Sequence, residues 1–171
     1  MMADVIIHFL ELVYANLEHE REQDNDMPAP ITQNAYEHST RWQNNNYDPV
    51  TDGFVRDDTP QNDIREIFRK GWTASEKGAN ITFEVEGSCL AVQYRKSVVQ
   101  PTPIAKAIVD GDEEHAMILD GNFEETWGDS LHLDTLAEHL PYGKHTVRIE
   151  LIETHEDDKV PFYLVSVIAS H

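Results

Sequence analysis

Cysteine is nearly missing: Cys89 is the only one in 171 residues. That count excludes an internal disulfide framework and any multi-cysteine metal site. Positive charge is scarce as well. Thirteen Lys and Arg face 32 Asp and Glu, a formal net charge of −19 with the nine histidines neutral. Nucleic-acid phosphates and anionic membrane surfaces require clustered Lys and Arg, so neither is an expected partner. No run reaches 18 apolar residues, and no bilayer-spanning helix is predicted. No basic n-region leads into an apolar stretch and a small-residue cleavage site, and no signal peptide is predicted. There are no internal repeats, and the only low-complexity tract is the Asn triplet 44–46. What is present is 40% apolar residues and a length that suits one domain of about 100–200 residues. The expectation is a soluble, acidic, cytoplasmic globular protein.

Residues 1–19 predict an amphipathic helix. Val5, Ile6, Phe9, Leu12, Val13 and Leu17 recur at three- and four-residue spacing, with Asp4, His8, Glu11 and Glu18 opposite. No capping residue precedes it, which points to a natural start further upstream. Residues 20–63 are dense in Asn, Asp, Pro and Gly and carry no hydrophobic period. They read as a linker and long loops, with about one strand near NAYEHSTRW. From 64 to 171 the period becomes two. ITFEVE places Ile81, Phe83 and Val85 on one face, and LAVQYR and HTVRIELI alternate in the same way. FYLVSVIA is apolar on both faces and reads as a central strand. LDTLAEHL (133–140) hints at a helical turn before Pro141. The fold class expected is mainly β, an antiparallel sandwich or jelly roll with one N-terminal helix.

Several constellations invite chemistry. Gly128-Asp129-Ser130-Leu131 spells the name motif of the GDSL esterases, whose serine is the nucleophile. That chemistry needs a strand-to-helix elbow, a histidine base and oxyanion donors. Here Phe-Glu-Glu-Thr-Trp precedes the serine, and the one Asp-x-x-His, Asp112 to His115, lies upstream in a hairpin turn. The tetrapeptide reads as coincidence, and no catalytic residue is assigned; the alternative is a small hydrolase using Ser130. His132, Asp134, His139 and His145 cluster, but their spacing does not favour one ligand face. They read as surface histidines, and no metal ligand is assigned. His115 and His155 sit in acidic turns whose carboxylates are expected to raise their pKa. The turns at 110–114 and 153–158 lack a calcium-loop spacing, and no cofactor is predicted. Trp42, Trp72 and Trp127, with Tyr94 and Arg95, are candidates to line a sugar face. Trp72 reads rather as core, and Trp127 as balanced between interface and ligand contact. Cys89 reads as an inert packed thiol.

The linked segments Gly71-Trp72-x-Ala-Ser-x-x-Gly, Tyr94-Arg-Lys-Ser, Val109-Asp110-Gly111, Leu119-Asp120-Gly121-x-Phe-x-x-Thr126-Trp127-Gly128 and Leu140-Pro-x-Gly143-Lys-His145-Thr-Val resemble an accessory β-sandwich. That sandwich occurs in proteins of the SGNH/GDSL hydrolase family, beside the catalytic domain, and is similar to the jelly rolls of carbohydrate acetylesterases. The resemblance covers about residues 64–171. MMADVIIHFLELVY resembles the closing helix of the catalytic domain. The resemblance implies a non-catalytic module that shapes the substrate cleft. Its candidate ligand or domain-interface residues are Trp127, Tyr94, Arg95, Asp120, Asn122 and Trp72. The implied partners are carbohydrate and either the parent catalytic domain or a second copy, through helix 1–19. An interaction module is the remaining alternative, because an uncovered apolar stripe seeks a partner.

Overall fold

A computed structural model describes residues 2–17, 34, 36 and 38–171 of the chain. It divides into two compact units, Met1–Gln33 and Asn34–His171. In the first, helix α1 spans Met2–Leu17. Taken by itself α1 leaves Val5, Ile6, Ile7, Phe9, Leu10, Leu12, Val13 and Tyr14 open. At 3.6 residues per turn these positions sweep about 220° of its circumference, far wider than the stripe of about 100° that one contact face requires. The end of the predicted helix, residues 18 and 19, lies outside the described residues, as do 20–33. No helix among the described residues is long and apolar enough to cross a membrane.

The second unit is a two-sheet sandwich. The first sheet orders β3 (Val55–Asp57), β4 (Gly71–Ala74), β11 (Phe162–Ser170), β6 (Cys89–Lys96) and β9 (Ser130–Ala137), with β1 (Thr40–Trp42) also paired to β11. The second orders β2 (Val50–Asp52), β5 (Asn80–Gly87), β10 (Gly143–Glu153), β7 (Ile104–Val109) and β8 (Met117–Asp120). Every one of these strand pairs is antiparallel.

The alternation in the sequence drives this packing. Ile81, Phe83 and Val85 of β5 and Val147, Ile149 and Leu151 of β10 turn inward against Leu90, Val92, Leu164 and Val167 of the opposite sheet. Each such side chain contributes about 1.5–3 kcal/mol on burial. β11 is apolar on both faces because both are covered. Phe162, Leu164, Val167 and Ala169 enter the main core, while Tyr163 and Val165 pack with Phe68 of a 3-10 turn, Asp63–Phe68. A register shift between Leu164 and Ser166 accommodates the change of phase.

Two expectations are corrected. Among the described residues of 20–63 there are three short strands, β1 to β3, where about one strand is expected, and the 3-10 turn only begins at Asp63. Strands of three residues are too short to display a period, and side chains help to fix them. Buried Asn44, for instance, donates through Nδ2 to the carbonyls of Asp57 at 3.0 Å and Gly71 at 2.8 Å. LDTLAEHL is no helical turn either, since residues 133–137 lie within β9. Leu133, Leu136 and Leu140 mimic helical spacing, but Leu131 and Leu136 pack in different clusters, on opposite faces of a strand. The polar inward residues of β9 reflect its place at a sheet edge.

Candidate functional site

At one end of the sandwich the connections 97–103 and 121–129 knit together. Ser97 N–H donates to the Gly121 carbonyl at 2.8 Å, and Phe123 N–H to the Ser97 carbonyl at 3.0 Å. Asn122 is the central brace. Its Nδ2 donates to Asp120 Oδ1 at 2.8 Å, and its Oδ1 accepts the Thr102 N–H at 3.0 Å. Gly121 is required here, because a Cβ would sit 2.7 Å from Thr102 Oγ1. Asp129 Oδ1 accepts from Ser97 Oγ at 2.8 Å and from the Val98 N–H at 3.1 Å. On this braced base the loop lifts Trp127 into solvent, 72% exposed. Phe123 supports the indole edge-to-face at 5.6 Å. A rigid, open aromatic face flanked by exposed Glu124 and Glu125 suits a ligand with an apolar face and hydroxyl groups.

The other sequence candidates fall elsewhere. Trp72 is 1% exposed and packs edge-to-face on Phe83 at 5.2 Å. Tyr94 is buried as deeply, stacked on Phe162, and its hydroxyl donates to Asp134 Oδ2 at 3.0 Å. Burial, then the Asp134 charge, pushes that phenol far above its ordinary pKa. Arg95 lies over the Tyr163 ring at 5.3 Å and donates to the Pro161 carbonyl. Asp120 and Asn122 hold the loop that carries Trp127. Trp42 is half-buried against the core. Thus only Trp127 of the six stands free for a ligand, with Asp120 and Asn122 beneath it. Sequence reasoning missed Ser97, Thr102 and Asp129 as braces. Asp129 drew notice only as part of the GDSL tetrapeptide, and no period or spacing signals a brace. Ser130 itself opens β9 opposite Lys96 rather than a strand-to-helix elbow. Among the described residues no histidine is hydrogen-bonded to it.

Four histidines, His115, His132, His145 and His155, each lie beside a carboxylate of their own. Among the described residues no three His, Cys, Asp or Glu converge on a metal position. His132 Nε2 lies 3.4 Å from Asp134 Oδ1. His115 Nδ1 is 2.8 Å from Asp112 Oδ2. His155 has Asp158 and Glu153 on its two ring nitrogens, and Asp158 foremost raises its pKa. His145 Nδ1 is 2.7 Å from Asp110 Oδ2, and its Nε2 is 2.9 Å from the Pro141 carbonyl. Only the doubly protonated ring donates to both acceptors. The Asp110 carboxylate accordingly raises the His145 pKa above its ordinary value, against desolvation. Burial pushes Asp110 up, but the His145 ring and the Thr146 N–H outweigh it and hold the carboxyl low.

A pH dependence follows. The share of stability from the raised His145 is whole below about pH 6.5 and fades as pH climbs through the folded value. The share from Asp110 is whole above about pH 3.9 and is lost as pH falls through its lowered folded value. Between pH 6 and 9 the native chain is expected to lose more stability than His145→Gln, by at most about 1 kcal/mol for a pair whose carboxylate is half open to solvent. Urea midpoints of both proteins across that range check it. A difference that does not vary with pH would remove the clamp.

No protein-family model and no curated protein matches the chain. Solved structures do. A two-domain esterase (CEX) active on acetylated mannans, co-crystallised with mannopentaose, is 54% identical over 98% of this chain and 44% of that one, with a TM-score of 0.83. A second crystal structure of a two-domain esterase of that description is 53% identical over 98% of this chain and 45% of that one, with a TM-score of 0.82. The chain is therefore closely similar to part of a carbohydrate esterase, and spans less than half the length of these relatives.

Proposed function

We propose that the chain is the non-catalytic, carbohydrate-contacting sandwich of a two-domain, SGNH-type ester hydrolase. In this reading the sandwich extends the substrate cleft with the Trp127 loop, and the ligand class is an oligosaccharide of the mannan type. The observation that carries it is the open indole of Trp127 on a loop braced by Asn122, Asp120 and Asp129. The CH-rich face of a pyranose stacks on such a ring, and nearby carboxylates accept its hydroxyl protons. The mannopentaose of the similar esterase supports the choice of sugar.

The same reading gives α1 a role. An apolar arc of about 220° belongs to a helix buried on two sides, not to one lying on a surface. More than half of the similar esterase lies outside the part matched here. Helix α1 is then the closing helix of the catalytic domain and packs there.

Calorimetric or NMR titration with mannopentaose tests the sugar contact. Binding is expected in the millimolar range, and Trp127→Ala is expected to weaken it about tenfold, roughly 1.4 kcal/mol. Equal affinity in Trp127→Ala would place the sugar contact away from Trp127, and no saturable shift at millimolar sugar would leave the sandwich a purely structural role.

A further inference from the structure

The outer face of the first sheet carries a separate hollow of about 250 Å³, bounded by β1, the 3-10 turn and β9. Arg41, Arg69 and Lys70 meet there, with Ile67 and Leu131 as an apolar wall. In a chain of net charge −19, Glu66 neutralises Arg69 in place, while Arg41 and Lys70 face the hollow with no carboxylate in ion-pair range among the described residues, a charge that an entering anion would offset. Glu66, the one carboxylate among the residues lining it, is already occupied. It accepts from Arg69 Nη1 at 2.6 Å and from the Gln61 N–H at 2.9 Å.

The other two cations have no hydrogen-bonded carboxylate among the described residues, although the Glu66 carboxylate also feels the charge of Lys70. Arg41 donates only through Nε, to Ser166 Oγ at 3.0 Å, and Ser166 Oγ donates onward to Gln93 Oε1 at 2.8 Å. This chain fixes the approach of the guanidinium, and its two terminal nitrogens have no acceptor among the described residues. Partial burial lowers the Arg41 pKa, and the guanidinium remains charged. Lys70 Nζ also has no acceptor among the described residues. Its backbone is pinned at both ends, by its N–H to the Asp57 carbonyl at 3.1 Å and by the Asn44 N–H to its own carbonyl at 2.9 Å.

The geometry points to a binding site for a small carboxylate with a short aliphatic stem. Its oxygens accept from the free fork of Arg41 and from Lys70, while the stem lies along Ile67 and Leu131. Inorganic phosphate satisfies the cations but leaves the apolar wall wet. A neutral sugar leaves the cations unpaired. The residues come from other segments than the Trp127 loop, so the site stands independently of the sugar contact.

The test is an NMR titration of the full chain with sodium butyrate, sodium acetate and sodium phosphate at physiological ionic strength. Saturable shifts are expected at the amides of Arg41, Gln43 and Lys70. Butyrate is expected to bind about fivefold tighter than acetate, for two partly covered methylenes. Arg41→Gln and Lys70→Gln are each expected to weaken butyrate at least about threefold. Lys70 makes no side-chain bond, so Lys70→Gln leaves the fold intact even where Arg41→Gln disturbs β1. Shifts that stay linear, phosphate binding as tightly as butyrate, or unchanged affinity in Lys70→Gln would each overturn the assignment.

Discussion

Trp72→Ala is expected to destabilise the sandwich by about 3–5 kcal/mol, the range for truncating a fully buried large aromatic. Trp72 sits on β4, opposite Leu164 of β11, and its ring meets Phe83 of the other sheet at 5.2 Å. Phe83 in turn stacks on Tyr47 at 5.6 Å. Removing the indole therefore opens a cavity between the sheets and strips an edge-to-face contact from a three-ring stack. Domains of this kind are stable by about 5–15 kcal/mol, so the loss is a large share of the total. Guanidinium unfolding followed by far-UV circular dichroism measures it. A loss under about 1 kcal/mol would mean that neighbouring side chains refill the site, contrary to the close packing described.

Gly71→Ala is expected to cost about 2–3 kcal/mol by the opposite mechanism, overpacking. A Cβ at residue 71 would lie deep inside contact distance of the Leu164 carbonyl oxygen and the Tyr163 ring. One of those is main chain and has no rotamer to change. The methyl must push β4 away from β11, loosening the Gly71 carbonyl from Asn44 as it does so. Gly78→Ala is the control: its φ of +89° adds backbone strain, but no atom lies within 4 Å of the new carbon. Thermal unfolding is expected to rank Gly71→Ala well below Gly78→Ala. Tyr163→Leu in the Gly71→Ala background is not expected to restore stability, because the carbonyl clash stays.

Much of the sandwich was legible in the sequence, because half-buried strands write their exposure as alternation. β5 and β10 are the plainest cases, and β11 declared its central place by being apolar throughout. Edges wrote less clearly. β9 turns His132 and Asp134 toward the interior, which breaks the alternation and leaves three leucines at helical spacing. β1, β2 and β3 are set by partners far along the chain, such as Arg41 beside Ile168, and three residues carry no period. Of the site, the sequence showed the aromatic residues and the core place of Trp72, but not that Trp127 is open. Trp72 reads as core and is 1% exposed, whereas Trp127 reads as balanced and only packing shows it 72% exposed. The carboxylate hollow was illegible, since Arg41, Lys70 and Leu131 meet only after β1, β4 and β9 enter one sheet.

The pairing of β1 with β11 places Thr40 beside Ala169, and the His38 ring stacks on that of His171 at 5.2 Å. The polypeptide thus enters and leaves the sandwich at a single corner. Described ends that lie side by side leave a host protein only one narrow gap to open, so the strand ladders between them can travel as a cassette. Shuffling between hosts, or rejoining its ends and cutting elsewhere, then alters the connections of the module without altering the module.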